Sequence, residues 1–214
     1  MKAPYKLGIT GGIASGKSKL LSYLATIPRI YTVNLDLYGH AVYQYNPRVV
    51  EQVGRVFGKE CVSKDGVIRE ALGKKVFADR HKLVVLRQIV SPEIKRMLVE
   101  TFKEVQYKGG YDIIAVEGAV LIEAKTYPMF DELWVATLDK QDAIQRILKR
   151  NPNLSETEAN ARVSSQITDE ERIKYASFYY DTSDRHTFDE NKVLIQEKLR
   201  EFQKKGILDQ SVKF

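Results

Sequence analysis

The spacing of apolar and polar residues predicts strands that alternate with helices along most of the chain. Runs with strand character occupy Tyr5–Thr10, Ile30–Leu35, Asp112–Val116, Asp131–Leu138 and the short Phe178–Tyr180. Helical spacing occupies Lys17–Ala25, Lys140–Lys149 and Asp189–Lys205. Runs that are apolar on both faces are typical of parallel strands covered by helices. The pattern therefore predicts an α/β fold with a parallel sheet and right-handed crossovers.

Two intervals depart from this alternation and predict insertions. The first, Leu37–Gln106, is helical and charged, contains no expected strand, and is broken at Asn46-Pro47, in the loop "GKECVSKDG" and at Ser91-Pro92. The second, Ser155–Lys174, is polar and helical. We expect a single domain over residues 1–214, with a helical acceptor-binding insertion at 37–107 and a small lid at 150–175.

A glycine-rich segment separates the first strand from the first helix. It reads "GGIASGKS" and matches the P-loop pattern Gly-x-x-x-x-Gly-Lys-Ser, in which glycines let consecutive backbone N–H groups wrap a phosphate. Lys17 is expected to reach the β- and γ-phosphates, and Ser18 to ligate magnesium. The predicted nucleotide-binding residues are Gly11, Gly12, Ile13, Ala14, Ser15, Gly16, Lys17, Ser18 and Lys19. The pattern therefore predicts a site for ATP and Mg²⁺.

Composition narrows the function classes. The net charge of +6 is spread along the helices, and no arginine-rich run with interleaved aromatic residues predicts nucleic-acid binding. No apolar run is long enough to predict a membrane span. The single cysteine, Cys61, excludes an intrachain disulfide and favours a reducing compartment. We expect a cytoplasmic protein, with the mitochondrial matrix as the alternative, that is a monomer or a weak homo-oligomer.

The P-loop leaves the reaction open, because kinases and GTPase switches both use it. A GTPase would need a guanine-reading Asn-Lys-x-Asp, and Asn191-Lys192 lacks the final Asp and lies in a helical pattern. A small-molecule kinase needs a carboxylate near the acceptor and arginines that cover the phosphoryl group. Asp36 is expected to close the second strand, where it could act on the acceptor or cap the next helix. Residue position alone does not separate these two roles.

Further charged residues fit a kinase. Glu117 ends the third strand, where a carboxylate can orient substrate or the water around magnesium. Arg146 and Arg150 are four residues apart and share a helix face. Together with Arg162 and the polar 150–175 segment, they predict a lid that closes over the triphosphate.

The chain resembles the dephospho-CoA kinase family. The matching stretches are "LGITGGIASGKS", "NLDLYGHAVY", "VFGKECVSKDGVIREALGKKVF", "VEGAVLIEA", "RILKRNPNLSETEANARVSSQ" and "ERIKYA", in the order found in that family. The resemblance implies a P-loop nucleoside-triphosphate hydrolase-like three-layer fold with a parallel five-stranded sheet. It also implies transfer of phosphate from magnesium-ATP to the ribose 3′-hydroxyl of dephospho-CoA, the last step of coenzyme A synthesis.

The resemblance assigns roles to residues on several segments. It implies that Asp36 is the general base, with Lys17, Arg146 and Arg150 on the transferring phosphoryl group. It places His40, Arg69, Glu117 and Leu121 at the acceptor, Arg162 at ATP, and the segment after Tyr180 under the adenine.

The chain departs from the family pattern at several positions. Asn34 replaces an Asp, Ser91 replaces a His or an aromatic residue, and Ser177, Thr182 and Asp184 replace Asp, Asn and Gly. Three alternatives follow: a kinase of another small acceptor, such as a nucleotide or a sugar acid, a GTPase switch, or a non-catalytic protein that retains the phosphate-binding fold.

Overall fold

A computed structural model describes residues 2–77 and 79–214, and these residues form strands and helices in alternation. The strands are β1 (Tyr5–Gly11), β2 (Ile30–Asn34), β3 (Val62–Ser63), β4 (Gly66–Val67), β5 (Ile113–Glu117), β6 (Glu132–Thr137) and β7 (Phe178–Asp181). The helices are α1 (Lys17–Leu24), α2 (Leu35–Tyr45), α3 (Pro47–Phe57), α4 (Arg69–Val76), α5 (Arg80–Lys108), α6 (Lys140–Arg150), α7 (Glu156–Ser164), α8 (Asp169–Ile173) and α9 (Phe188–Lys204). The α/β class predicted from the pattern is confirmed.

The main sheet has five parallel strands in the order β2-β5-β1-β6-β7. The P-loop strand β1 is central: Ile9 pairs with Glu117 of β5 on one side and with Trp134 of β6 on the other. Parallel strands end at the same edge of a sheet, so the P-loop after β1 and Glu117 at the end of β5 are neighbours. The five-stranded parallel sheet expected from the sequence is confirmed.

The chain forms two compact units, one of residues up to Val33 together with Phe102–Phe214, and one of Asn34–Thr101. The first unit contains the main sheet. Its core packs Trp134 of β6, which is fully buried, against Phe202 of α9 with ring centroids 5.7 Å apart. These aromatic contacts fix α9 against the sheet.

The second unit is mostly helical, and its core joins α2, α3, α4 and α5 through Val42, Val53, Leu72 and Leu86. It also contains an antiparallel hairpin, β3–β4, in which Val62 pairs with Val67. The expectation of no strand in Leu37–Gln106 was therefore wrong. The two strands have two residues each, too few for an alternating pattern to be visible in the sequence.

Two further local expectations were wrong. Ser91-Pro92 does not break the chain, because Pro92 lies inside the continuous helix α5. An interior proline costs about 3 kcal/mol, but Val90 and Ile94 on either side of it both pack into the second unit's core. Asp36 does not close β2 or cap the next helix, since β2 ends at Asn34 and Asn34 is the N-cap of α2.

The described residues contain no helix whose length and apolar character would allow it to cross a bilayer.

Candidate active site

The P-loop takes its shape from two glycines with left-handed φ. Gly11 (φ 156°) pairs with Ala136 of β6, and a Cβ there would overlap the Ala136 carbonyl oxygen and the Ser15 hydroxyl. Gly16 (φ 77°) is the N-cap of α1, so no side chain caps this helix. The first turn of α1 also carries no acidic residue. An uncapped helix N-terminus presents its N–H groups to an anion.

Lys17 lies over the loop that it follows. Its side chain is buried, and Nζ donates to the carbonyls of Gly12 at 2.7 Å and Gly11 at 3.1 Å. Ala14 has φ 64°, a conformation that costs a residue with a Cβ about 1 kcal/mol or more. Such strain is typical of phosphate-binding loops, because it aims backbone donors inward.

The N–H of Ile13 is already hydrogen-bonded. It donates at 2.8 Å to Oε1 of Gln166, which lies between α7 and α8. Gln166 therefore ties the P-loop to the segment predicted to form the lid. In the sequence Gln166 ends the family-like lid stretch, but its contact with the P-loop was not predicted.

Ser18 and Glu117 meet at the sheet edge. The exposed Ser18 hydroxyl donates to Oε1 of Glu117 at 2.7 Å, and the Glu117 side chain is 3% exposed. The buried Tyr180 of β7 lies near this carboxylate. Burial, and secondarily the charge of Glu117, raises the pKa of the Tyr180 hydroxyl, which therefore stays protonated at neutral pH.

A cavity of about 290 Å³ opens beside the P-loop in the first unit. Four cationic side chains line it, and it extends past β7 to the start of α9. The lining residues are Ala14, Ser15, Gly16, Lys17, Ser18, Lys19, Arg146, Arg150, Tyr180, Thr182, His186, Phe188 and Asn191. Cations and helix-terminal N–H groups at one end suit a polyphosphate, and aromatic and amide groups at the other end suit a base.

Arg146 bridges the two halves of this cavity. Its guanidinium donates to the carbonyls of Thr182 at 2.5 Å and Ala14 at 3.3 Å, and to Oδ1 of Asp184 at 2.6 Å. The Thr182 hydroxyl lies 3.0 Å from the Ser15 carbonyl and 2.9 Å from that of Thr137. The departures at Thr182 and Asp184 are thus both built into contacts that hold the segment after Tyr180 against the P-loop.

The other predicted arginines lie on α6 and α7. Arg150 is at the end of α6 and lines the cavity, and Arg162 is in the last turn of α7. The structure thus brings Lys17, Arg146 and Arg150 to one cavity, whereas Arg162 is not among its lining residues. The role of Arg162 at ATP stays a prediction.

Asp36 lies in the second unit, in the first turn of α2. Its backbone N–H donates to Oδ1 of the N-cap Asn34 at 2.8 Å, and its side chain is exposed. The Asn34 amide oxygen does what an Asp carboxylate would do as a cap, so this departure preserves the start of the helix. The carboxylate of Asp36 therefore stays available for chemistry.

His40 and Arg69 come together within the second unit, 29 residues apart in sequence. Nη1 of Arg69 lies 2.6 Å from Nε2 and 2.9 Å from Nδ1 of His40. Asp36 and His40 are four residues apart on α2 and share a face. Nearby, burial raises the pKa of Tyr43 and the charge of Arg69 opposes that rise. The cluster presents a guanidinium and an imidazole on an exposed surface.

Leu121 is buried like Glu117, with its side chain 2% exposed, whereas the predicted acceptor residues His40 and Arg69 are exposed. Its carbonyl accepts the Thr126 hydroxyl at 2.9 Å, which shapes the loop after β5. Its assignment to the acceptor stays a prediction.

Several cavity residues were missing from the predicted set. They are Thr182, His186, Phe188 and Asn191, which follow or lie near β7, and Asn191 donates to the Asp181 carbonyl at 2.8 Å. The family resemblance placed the segment after Tyr180 under the adenine, but it did not single out these four residues.

The P-loop between β1 and α1, the sheet-edge pair Ser18–Glu117 and the cationic cavity define a nucleoside-triphosphate-binding α/β protein of the kinase type. The family model described as Dephospho-CoA kinase matches residues 5–186. A dephospho-CoA kinase of Dehalococcoides mccartyi is 35% identical over 191 residues, which cover 89% of this chain and 93% of that one. A dephospho-CoA kinase of Carboxydothermus hydrogenoformans is 34% identical over 83% of this chain and 85% of its own.

Solved structures agree with the fold. A crystal structure from Thermus thermophilus superposes with a TM-score of 0.71 and 26% identity, covering 94% of this chain and 98% of that one. The chain belongs to the dephospho-CoA kinase family, as its motifs predicted. Its activity is the ATP-dependent phosphorylation of dephospho-CoA in coenzyme A biosynthesis.

Proposed function

We propose that the chain transfers the γ-phosphoryl group of magnesium-ATP in line to the ribose 3′-hydroxyl of dephospho-CoA. The observation that carries this proposal is the cavity beside the P-loop, in which Lys17, Arg146 and Arg150 converge. Phosphoryl transfer depends mainly on positioning and on neutralising charge on the phosphoryl oxygens. Cations from two different helices, around one P-loop, supply that charge.

Lys17 and the arginines act on the nucleotide. Nζ of Lys17 now lies on the carbonyls of Gly11 and Gly12, so it sits within reach of any phosphate that the loop encloses. Arg146 donates both to the Ala14 carbonyl of the P-loop and to the Asp184 carboxylate. It reaches the phosphates by giving up its hydrogen bond to Asp184 in exchange for one to a phosphate oxygen. That exchange costs little, because the Asp184 side chain is 77% exposed and screened by water.

Asp36 accepts or orients the proton of the attacking hydroxyl. Its exposed carboxylate at the start of α2, free of the capping role, supports this assignment. His40 and Arg69, which lie together within the same unit, hold the phosphate or ribose of dephospho-CoA through a charged fork. Nη1 of Arg69 lies on the imidazole of His40, which leaves the other guanidinium donors for the ligand.

Ser18 and Glu117 fit a magnesium ion. Both offer oxygen, and Mg²⁺ in kinases is bound by one or two protein oxygens together with phosphates and water. When bound, the ion would neutralise charge between the β- and γ-phosphates. Ser18 is placed to ligate it directly, and the buried Glu117 carboxylate to accept hydrogen bonds from its water and from Ser18.

We further propose a cytoplasmic monomer or weak homo-oligomer that binds no nucleic acid. The dispersed +6 charge supports this view, and light scattering with cell fractionation tests it.

The test of the reaction is ADP release from magnesium-ATP with dephospho-CoA, and with AMP, gluconate and shikimate as alternative acceptors. We expect ADP release with dephospho-CoA and with none of the other three acceptors. NMR of the product should place the phosphate on the 3′-hydroxyl. Release with another acceptor, or phosphate on another oxygen, would overturn the proposal. ATP binding without release for any acceptor would favour a non-catalytic protein.

A further inference from the structure

Arg172 of α8 is buried beside the P-loop although the reaction described above does not use it. Its side chain is 3% exposed, and it is one of few charged side chains buried this deeply among the described residues. Nη1 donates to Oδ1 of Asp169 at 2.5 Å. A buried guanidinium is expensive to desolvate, so its ion pairs are weak evidence for a stabilising role.

The guanidinium covers the first half of the P-loop. A Cβ placed on Gly12 would lie 3.5 Å from Nη1 of Arg172 and 3.8 Å from Oε1 of Gln166. Gln166 in turn accepts the N–H of Ile13 at 2.8 Å. Gln166 thus holds Ile13 by a hydrogen bond, and Arg172 lies on the side of Gly12 where a side chain would project.

The same segment is fixed to two strand ends. Oδ2 of Asp169 accepts the N–H of Leu138, after β6, at 2.8 Å. Oε1 of Glu123, in the loop after β5, accepts the N–H of Ile167 at 3.4 Å and lies 4.0 Å from Nη2 of Arg172. Arg172 therefore stands where the P-loop and the loops after β5 and β6 meet.

Arg172 and Glu123 are not fully satisfied by the described residues. Nε and Nη2 of Arg172 and Oε2 of Glu123 have no hydrogen-bond partner there, and the Glu123 side chain is 5% exposed. Buried polar atoms of native proteins nearly always have partners. A shift of about 1 Å would convert the 4.0 Å ion pair into a hydrogen-bonded one.

We propose that Arg172 is a positioning residue for phosphoryl transfer, which sets Gly12 and Ile13 through direct packing and through the Asp169–Gln166 segment. This inference rests on the proposed function. Gly12 also accepts from Lys17, so a displaced Gly12 displaces the ammonium that faces the phosphates. Misplacement of about 1 Å at a site remote from the reacting atoms lowers turnover by about 100-fold.

The test compares Arg172→Met with the double variant Arg172→Met/Glu123→Met. The single change leaves the buried Glu123 carboxylate without the nearby guanidinium and threatens folding. The double change removes both of these buried charges and retains apolar volume, and Asp169, which is 21% exposed, keeps its hydrogen bond from Leu138. Arg200→Met, on the exposed side of α9, is the matched control. Circular dichroism establishes folding, steady-state rates give kcat and KM, and calorimetric titration gives the affinities for ATP and ADP.

We expect the folded double variant to lose about 100-fold in kcat, with little change in the ratio of ATP to ADP affinity. The ratio changes little, because the Lys17 ammonium that Gly12 positions faces the β-phosphate, which both nucleotides share, as well as the γ-phosphate of ATP. A kcat equal to that of the parent protein would overturn the proposal, because Arg172 would then have only a structural role. A loss of ATP affinity as large as the loss of kcat, with ADP affinity unchanged, would also overturn it, because it would assign Arg172 direct contact with the γ-phosphate.

The ratio of ATP to ADP affinity is measured without an acceptor, so it can be determined even if the proposed reaction does not occur. If the parent protein released no ADP with dephospho-CoA, the proposed function would fail, and the two titrations would still decide whether Arg172 contacts the γ-phosphate.

Discussion

The hydroxyl of Ser18 donates a 2.7 Å hydrogen bond to the buried carboxylate of Glu117 across the edge of the sheet. The two residues are 99 positions apart in sequence, and they meet because β1 and β5 are adjacent parallel strands. This contact joins the first residues of α1 to the end of the neighbouring strand.

Glu117→Gln should weaken the response to magnesium more than the binding of ATP. The amide oxygen still accepts from Ser18, but the negative charge is lost, and outer-shell changes of this kind cost about 10–100-fold in metal affinity. Initial rates at fixed ATP and varied free Mg²⁺ measure the effect. Glu197→Gln on the exposed face of α9 is the matched control. An unchanged magnesium dependence would remove Glu117 from the metal site.

Asp36→Asn should collapse turnover and leave ATP affinity nearly unchanged. Removal of a general base costs about 10²–10⁴-fold in rate, and the P-loop lies outside the unit that contains Asp36. The measurement pairs kcat with calorimetric titration of ATP. Asp65→Asn, exposed in the turn between β3 and β4, is the control. Near-normal turnover in Asp36→Asn would show that this carboxylate is not catalytic.

Arg69→Met should raise KM for dephospho-CoA and leave KM for ATP in place. The loss of a charged hydrogen bond to a phosphate costs about 1.5–3 kcal/mol, or about 10–100-fold. The exposed Arg55→Met in α3 serves as control. Equal rises in both KM values would indicate a general defect instead of an acceptor contact.

Asp112→Asn should destabilise the fold at neutral pH and matter less in acid. The Arg29 guanidinium donates to both oxygens of Asp112, at 2.7 and 2.6 Å, and holds the pKa of that carboxyl below its usual value. A lowered folded-state pKa gives stability that is present above the unfolded value of about 3.9 and is lost as the pH falls through the folded pKa. We expect a loss of about 1–3 kcal/mol at pH 7.

Urea titrations followed by circular dichroism at several pH values measure this effect. The difference between the parent and Asp112→Asn should shrink as the pH falls below about 4. A difference that stays constant across that range would show that the charge of Asp112 does not carry its contribution.

Local patterns in the sequence predicted much of this fold, because β1, β5 and β6 are buried on both faces and leave continuous apolar runs. Glu117 was correctly placed at a strand end for the same reason. The cap of α2 was assigned to the wrong residue, because only Asp36 was considered, although Asn is an equally favoured N-cap residue type. The predicted break at Pro92 was wrong because a helix with apolar packing on both sides of a proline can tolerate that proline.

Long-range contacts were out of reach. The hydrogen bond from Ile13 to Gln166 joins residues 153 positions apart, and the lid stretch that ends at Gln166 does not indicate which loop this side chain contacts. Arg172 follows two glutamates in "DEER", a pattern typical of a solvated helix face, yet tertiary packing buries it. Burial of a charged residue depends on what folds over it.

Trp134 lies fully buried in β6, and it is the chain's only tryptophan. Asn34–Thr101 contains tyrosines but no tryptophan, so intrinsic emission excited at the red edge of the indole band reports on the sheet unit alone. Backbone ellipticity reports on both units. A thermal scan recorded by both signals would therefore reveal directly whether the helical unit melts separately from the sheet unit.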